Sequence, residues 1–68
     1  MYYPNLLGEM AKRKVKQKDL ATVIGKEEQT ISKKMNGSAI FTLDEARKIS
    51  EYLKTELTIE ELFKQEEE

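Results

Sequence analysis

Apolar residues recur along this chain at the spacing of short amphipathic helices. Leu6 and Met10 lie four positions apart, as do Leu20 and Ile24, and no segment alternates apolar and polar residues as a strand would. The pattern predicts an all-α fold, a compact bundle of five short helices joined by short loops. The first three helices are predicted over about residues 5–14, 17–24 and 28–35.

Start and stop signals set the ends of these three helices. Pro4 suits a first helical turn, and Asn5 is expected to cap it. Gly25 follows the last apolar residue of the second helix and predicts a left-handed terminator there. Asn36 and Gly37 are expected to end the third helix in the same way.

Two capping boxes predict the starts of the fourth and fifth helices. In the segments 42–45 and 58–61, a threonine and a glutamate three residues later can satisfy each other's backbone N–H groups. The inward stripe of the fourth helix is Ala46, Ile49, Ser50 and Leu53, and that of the fifth is Ile59, Leu62 and Phe63. The loop 38–41 is expected to tuck Ile40 and Phe41 onto the core.

Length and composition limit what the chain can do. Its 68 residues predict one domain, residues 1–65, followed by an acidic tail at 66–68. The chain has neither cysteine nor histidine, which removes the commonest metal ligands and the commonest general base. Without a metal spacing, a phosphate loop or a convergent carboxylate pair, we expect no enzyme, no cofactor and no small-molecule substrate. No apolar run is long enough for a membrane span, so a cytoplasmic protein is expected.

The net charge of −1 hides an uneven distribution of charge. Residues 1–38 hold eight basic and four acidic side chains, whereas residues 39–68 hold four basic and nine acidic ones. Such an asymmetry is typical of a protein with one face that meets phosphate. The alternative explanation is that the charged residues, 37% of the chain, only solvate a small helical protein.

The segment 17–37 has the residue types that two crossing helices require. Ala21 supplies a small side chain where the helices would meet, and Gly25 supplies the positive φ of a tight turn. The residues expected to form the apolar wedge that fixes the crossing angle are Leu20, Ile24, Ile31 and Met35.

This segment resembles the helix-turn-helix of the lambda-repressor-like family, the Cro/CI or XRE type of bacterial and phage regulators. The resemblance extends to the first helix at 5–11, the fourth at 41–49 and the closing helix at 58–63, and so covers nearly the whole chain. Each of these elements is weak alone, and the ordered set is specific. The resemblance implies a regulator whose second motif helix, about 28–35, lies in a DNA major groove.

Family membership would also imply roles for individual residues. The positions that face base edges are Glu28, Gln29 and Lys33. The positions expected to touch phosphate are Gln17, Thr30 and Asn36, with less directed contacts from Lys16, Lys26 and Lys34. Lys33 and Lys34 are both expected to face outward, and Lys12 and Arg13 are weaker phosphate candidates.

The chain departs from the family pattern at three places. Lys16 replaces the usual Ser or Thr cap of the second helix, and Lys26-Glu27 replaces the usual apolar-then-Ser entry to the third. The connection at 54–56 is longer than usual. Two glutamates at the start of the third helix suit its positive end, yet they also repel phosphates.

The sequence therefore predicts a transcriptional regulator that binds a double-stranded DNA operator. It also predicts a weak homodimer, and leaves open whether this dimer forms in solution or only on DNA. The acidic second half and the glutamates at 27 and 28 leave a different class open, namely a protein-interaction module such as an antitoxin or anti-regulator. A nonspecific architectural DNA binder is a third alternative. It fits less well, since the base-facing positions carry side chains that can bond a base in two places.

Overall fold

A computed structural model describes residues 2–66, and all regular structure in that range is helical. The five helices are α1 (Pro4–Lys12), α2 (Gln17–Ile24), α3 (Glu28–Met35), α4 (Leu43–Leu53) and α5 (Ile59–Leu62). The predicted all-α, five-helix fold is therefore confirmed. Within residues 2–66, no helix has the length and apolarity that a bilayer crossing demands. Of the expected acidic tail, Glu67 and Glu68 lie outside the described residues.

The predicted bounds of α2 and α3 are confirmed, and local backbone chemistry explains their ends. Gly25 ends α2 at φ 69°, a left-handed conformation that costs glycine little because it has no Cβ. Lys16 provides no side-chain cap for α2, as its residue type predicts. The Asp19 carboxylate nevertheless accepts a hydrogen bond of 2.8 Å from the Lys16 N–H, so half of a capping box remains.

Both predicted capping boxes are present. The Thr42 hydroxyl accepts from the Glu45 N–H at 3.2 Å, and the Glu45 carboxylate accepts from the Thr42 N–H at 3.0 Å. The same reciprocal pair joins Thr58 and Glu61, at 3.1 and 2.9 Å. These contacts fix where α4 and α5 begin.

The first helix differs from its prediction at both ends. It begins at Pro4 and ends at Lys12, one and two residues before the predicted bounds. The prediction that Asn5 caps it is wrong, because Asn5 lies inside the helix and donates a 2.8 Å hydrogen bond from its amide to the Glu61 carbonyl. Asn5 thus links α1 to α5 instead of closing the start of α1.

The core lies where the apolar faces of the five helices meet. α2 packs on α3 and α4, while α5 packs on α1 and α4. The most deeply buried side chains are Leu6, Leu20, Ile31, Ile49, Leu53 and Leu62. Each such burial contributes about 1.5–3 kcal/mol, so a few residues carry much of the stability of a domain this small.

Of the two residues in the loop between α3 and α4 that were expected to pack on the core, only Phe41 does so. The ring of Phe41 packs edge-on against Tyr3 and Phe63, with centroids 5.6 and 5.1 Å apart. Ile40 is 71% exposed, so the prediction that it tucks inward is wrong. Its carbonyl faces the Lys34 ammonium at 2.9 Å and Phe41 fills the inner position, which leaves the Ile40 side chain in solvent.

A buried carboxylate ties α1 to the long connection before α5. Glu9 accepts a 2.7 Å hydrogen bond from the Thr55 hydroxyl and a 2.8 Å ion-paired contact from Arg13. Lys12 pairs with the same carboxylate at 3.3 Å. The two weaker phosphate candidates, Lys12 and Arg13, are therefore engaged with Glu9.

Replacing Gly37 by alanine is expected to lower the free energy of unfolding by about 1–3 kcal/mol. Gly37 has φ 90°, and an added Cβ would lie 2.7 Å from the Tyr2 ring. Urea unfolding followed by circular dichroism measures the change. The matched control is Gly8→Ala in α1, where a Cβ meets nothing within 4 Å and should stabilise by about 0.5–1 kcal/mol. Equal responses of the two variants would contradict the packing of Tyr2 on Gly37.

Candidate nucleic-acid interface

Two short helices joined by a tight turn form the candidate interface. α2 and α3 pack against each other, and Ala21 is only 6% exposed between them. Its small side chain lets the two backbones approach. Across the Gly25 turn, the Lys26 N–H donates a 2.9 Å hydrogen bond to the Ala21 carbonyl. This bond closes a glycine-terminated helix end and sets the direction in which the chain enters α3.

One face of α3 is held in the core and the other is open. The predicted wedge is confirmed, because all four of its residues are buried: Leu20, Ile24, Ile31 and Met35. The expected base-facing residues Glu28, Gln29 and Lys33 are all exposed. Gln29 and Lys33 are four residues apart and therefore share one side of the helix.

The start of α3 carries two exposed carboxylates and no side-chain cap. Glu27 occupies the N-cap position in an extended conformation, and its side chain makes no capping hydrogen bond. Glu28 lies in the first turn, where its charge complements the positive end of the helix. First-turn N–H groups without a side-chain cap are donors suited to an anion.

Five of the six expected phosphate-contacting residues lie at the surface. They are Lys16, Lys26 and Asn36, which are exposed, and Gln17 and Thr30, which are half-buried. The Asn36 side-chain oxygen accepts a 3.0 Å hydrogen bond from the Ser38 N–H. Asn36 therefore holds the turn after α3, and its amide nitrogen is the atom that can donate to a phosphate.

Lys34 is the exception, and the expectation that it faces outward is wrong. Its residue is 8% exposed, and its ammonium donates to the Glu45 carboxylate and to the Ile40 carbonyl, at 2.9 Å each. A lysine stem is long enough to cross the apolar edge of α3 and place its charge on these acceptors. The structure therefore removes Lys34 from the set of phosphate contacts.

Comparison with known families agrees with the helix-turn-helix arrangement of α2 and α3. The sequence model of a family described as helix-turn-helix matches residues 9–62, which include all of α2, α3 and α4. The chain belongs to the lambda-repressor-like helix-turn-helix family. No curated protein and no solved structure matches the chain.

Membership of the lambda-repressor-like family indicates what the exposed face of α3 is for. The protein is a DNA-binding helix-turn-helix regulator, in which α2 and α3 are the two helices of the motif. The residues predicted to face base edges, Glu28, Gln29 and Lys33, are all exposed on α3, the second helix of the motif.

Sequence reasoning missed one polar residue on this face of the lambda-repressor-like motif. Ser32 is exposed on α3, four residues after Glu28 and three after Gln29. Its hydroxyl can donate and accept, as base edges and phosphates require. The helical spacing alone would have placed it beside Gln29.

A buried carboxylate lies behind the motif. Burial disfavours ionisation of Glu45, but hydrogen bonds from the Thr42 N–H and the Lys34 ammonium, with the charges of Lys34 and Lys26, outweigh it and lower the pKa of Glu45. Glu45 is thus ionised in the folded protein and pairs with Lys34 at the end of α3.

The fold is expected to lose stability in acid. The pKa values of Glu9, Glu45 and Glu61 are all lowered from 4.5, so their contribution is complete above that pH and is lost as the pH falls through the folded values. The urea concentration at the unfolding midpoint, measured from pH 7 to 3, should decrease once the pH is below about 4.5. The gap in unfolding free energy between wild type and Glu45→Gln should narrow over the same range.

The charge-matched control is Glu51→Gln, which removes an exposed carboxylate from the same helix. A gap between wild type and Glu45→Gln that stays constant down to pH 3 would contradict a lowered pKa of Glu45 in the folded protein.

Proposed function

We propose that this regulator is a sequence-specific transcription factor of the Cro/repressor type, with α3 as its recognition helix in the major groove of a DNA operator. The observation that carries the proposal is the exposed pair Gln29 and Lys33 on a helix whose opposite face is buried. An α-helix with its side chains is about 10–12 Å across, which fits a major groove about 12 Å wide.

Three side chains of the recognition helix have the chemistry to distinguish bases. The Gln29 amide can bond adenine in two places, and the Lys33 ammonium can donate to guanine. Glu28 can accept from the amino group of cytosine. Each good contact of this kind is worth about 1–3 kcal/mol of discrimination against a wrong base.

The phosphate contacts would come from the residues around the turn. Gln17 and Thr30 stand in the first turns of α2 and α3, where backbone N–H groups also point outward. Lys16 and Lys26 are exposed before α2 and α3, and Asn36 stands directly after α3. Such contacts would set the register of the protein on the duplex without reading its sequence.

We propose that two copies bind together on DNA. The protein measures 26 × 24 × 22 Å between its outermost Cα atoms, whereas palindromic half-sites one turn apart are separated by about 34 Å. This spacing leaves about 8 Å between the facing backbones, a gap that the side chains of both copies can fill, so two copies can lie side by side and contact each other beside their recognition helices. The exposed apolar residues Ile40 and Leu43, next to a 370 Å³ groove lined by Phe41, Ile59 and Phe63, supply a surface for this contact.

The biological setting follows from this proposal. Such a regulator would act on bacterial or phage DNA in the cytoplasm, at the nucleoid, by occupying an operator and excluding or recruiting polymerase. Residues 1–65 would form the DNA-binding domain and 66–68 an acidic tail.

A second candidate function is supported by the exposed carboxylates of Glu27 and Glu28 at the start of α3. Negative charge at this position repels phosphate and suits a basic protein partner, as in an antitoxin or anti-regulator. In vitro selection of binding sites from random duplex DNA, repeated at two salt concentrations, separates the two candidates. A palindromic motif supports the regulator, and a selection without any preferred duplex favours the interaction module.

Gln29→Ala and Gln17→Ala are expected to weaken DNA binding in different ways. Loss of a base contact at Gln29 should cost about 1–3 kcal/mol on the selected site and little on random duplex. Loss of a phosphate contact at Gln17 should weaken both duplexes alike and flatten the dependence of affinity on salt. Fluorescence anisotropy over a salt series measures all four affinities. Equal losses on the two duplexes for Gln29→Ala would contradict base reading.

Ile40→Glu is expected to weaken binding to the full palindrome by about tenfold or more, because it places charge in the proposed contact between copies. Binding to an isolated half-site should change little, since Ile40 is 71% exposed and supports no core packing. Lys48→Gln, an exposed change on α4, is the control, because it lowers the net charge by one, as Ile40→Glu does. An equal loss on palindrome and half-site would place Ile40 outside the dimer contact.

A further inference from the structure

Lys34 and Glu45 form a buried ion pair that the proposed DNA contacts do not use. Their side chains are 10% and 9% exposed, and the ammonium nitrogen lies 2.9 Å from the carboxylate oxygen. The pair joins the recognition helix α3 to α4, whereas the packing surface of α3 lies mainly on α2. Two charges taken out of water in this way need close mutual contact and further hydrogen bonds.

Both members of the pair have those further contacts. The Lys34 ammonium also donates to the Ile40 carbonyl at 2.9 Å and lies 5.8 Å from the centre of the Phe41 ring. The same Glu45 oxygen accepts the Thr42 N–H at 3.0 Å. One lysine therefore holds three consecutive segments together: the last turn of α3, the loop after it and the capped start of α4.

This arrangement bears on the residue beside Lys34 in the chain. Consecutive helical residues point about 100° apart, so an inward Lys34 requires its neighbour Lys33 to face a different direction, which is outward. The Lys33 carbonyl accepts the Ser38 N–H at 2.9 Å, and the Lys34 carbonyl accepts the Gly37 N–H at 3.3 Å. The rotation of the last turn of α3 is thus tied to the loop and to α4.

We propose that Lys34 is a positioning residue for base reading. Its buried ammonium, held by Glu45 and the Ile40 carbonyl, fixes the rotation and tilt of the end of α3, and so directs Lys33 and Gln29 at the bases. This role rests on the proposed function and extends it to a residue that does not touch DNA.

The test compares Lys34→Met with wild type on the selected site and on random duplex, over a salt series. Circular dichroism and thermal melting first establish a temperature at which each variant is folded. Affinity for the selected site should fall about tenfold, the loss of roughly one base contact, while affinity for random duplex changes less than about threefold. The salt slope should not change, because the ammonium of Lys34 neutralises Glu45 and not a phosphate.

Lys16→Met is the matched control, since it removes an exposed lysine by the same substitution. For a phosphate contact, both duplexes lose affinity and the salt slope falls by about one. The same pattern in Lys34→Met would overturn the positioning role, because it would show that Lys34 leaves its buried site to bind phosphate.

A double variant, Lys34→Met with Glu45→Met, separates positioning from stability. Replacing a buried ion pair by apolar residues of similar volume often restores or raises stability. The double variant should therefore melt at or above the temperature of Lys34→Met, yet it should not regain discrimination between the two duplexes. Recovery of discrimination together with stability would overturn the proposal, since the pair would then only hold the fold together.

Wild-type binding separates this proposal from the proposed function. If wild type itself does not distinguish the selected site from random duplex, the proposed function fails and the positioning role fails with it. If wild type discriminates and folded Lys34→Met discriminates equally well, only the positioning role is overturned.

Discussion

The burial of one side of α3 against α2 is the constraint on which the rest of the interface depends. A helix of eight residues is too short to be stable alone, so its existence and its direction come from packing. Ile31 and Met35 provide the buried side, and Ala21 lets α2 approach closely enough to cover it. Once that side is fixed, the 3.6-residue period leaves Gln29 and Lys33 outside. The outward direction of Gln29 and Lys33 is therefore a consequence of core packing.

Two adjacent lysines show how the same residue type serves both sides of this helix. Lys33 is exposed, whereas Lys34 is buried against Glu45 and the Ile40 carbonyl. The buried charge is tolerable because each of its close contacts is a hydrogen-bond acceptor, and the described residues contain no buried side-chain polar atom without a partner. The capping glutamate of α4, Glu45, is thus also the counter-ion of Lys34 on α3. Hydrogen bonds of Lys34 and Glu45 thus connect the end of α3, the loop after it and the start of α4.

Periodicity and capping chemistry predicted most of the fold, because both act over a few neighbouring residues. The bounds of α2 and α3 and the capping boxes at Thr42 and Thr58 follow from such local rules. The inward turn of Lys34, the reach of Asn5 to α5 and the exposure of Ile40 each depend on a residue distant in the chain or on competition for one space. Local patterns carry no information about such partners. The exposed positions Glu28, Gln29 and Lys33 followed from the family resemblance, whereas the contacts of Lys34 that support the end of α3 could not be predicted.

The slight negative charge of the chain is compatible with DNA binding because several of its carboxylates are engaged in structural contacts, whereas Glu27 and Glu28 remain exposed at the start of α3. Glu45 and Glu61 cap helices, and Glu9 is held by Thr55 and Arg13, so these acidic groups are committed to structure. Lys26 and Lys33, by contrast, are exposed on or beside α3. At physiological ionic strength, salt ions screen the interaction between exposed charges beyond about 8 Å, while the protein extends 22–26 Å. A phosphate bound at α3 would therefore respond mainly to the charges around the turn, which include Glu27 and Glu28 as well as Lys26 and Lys33, and little to more distant carboxylates.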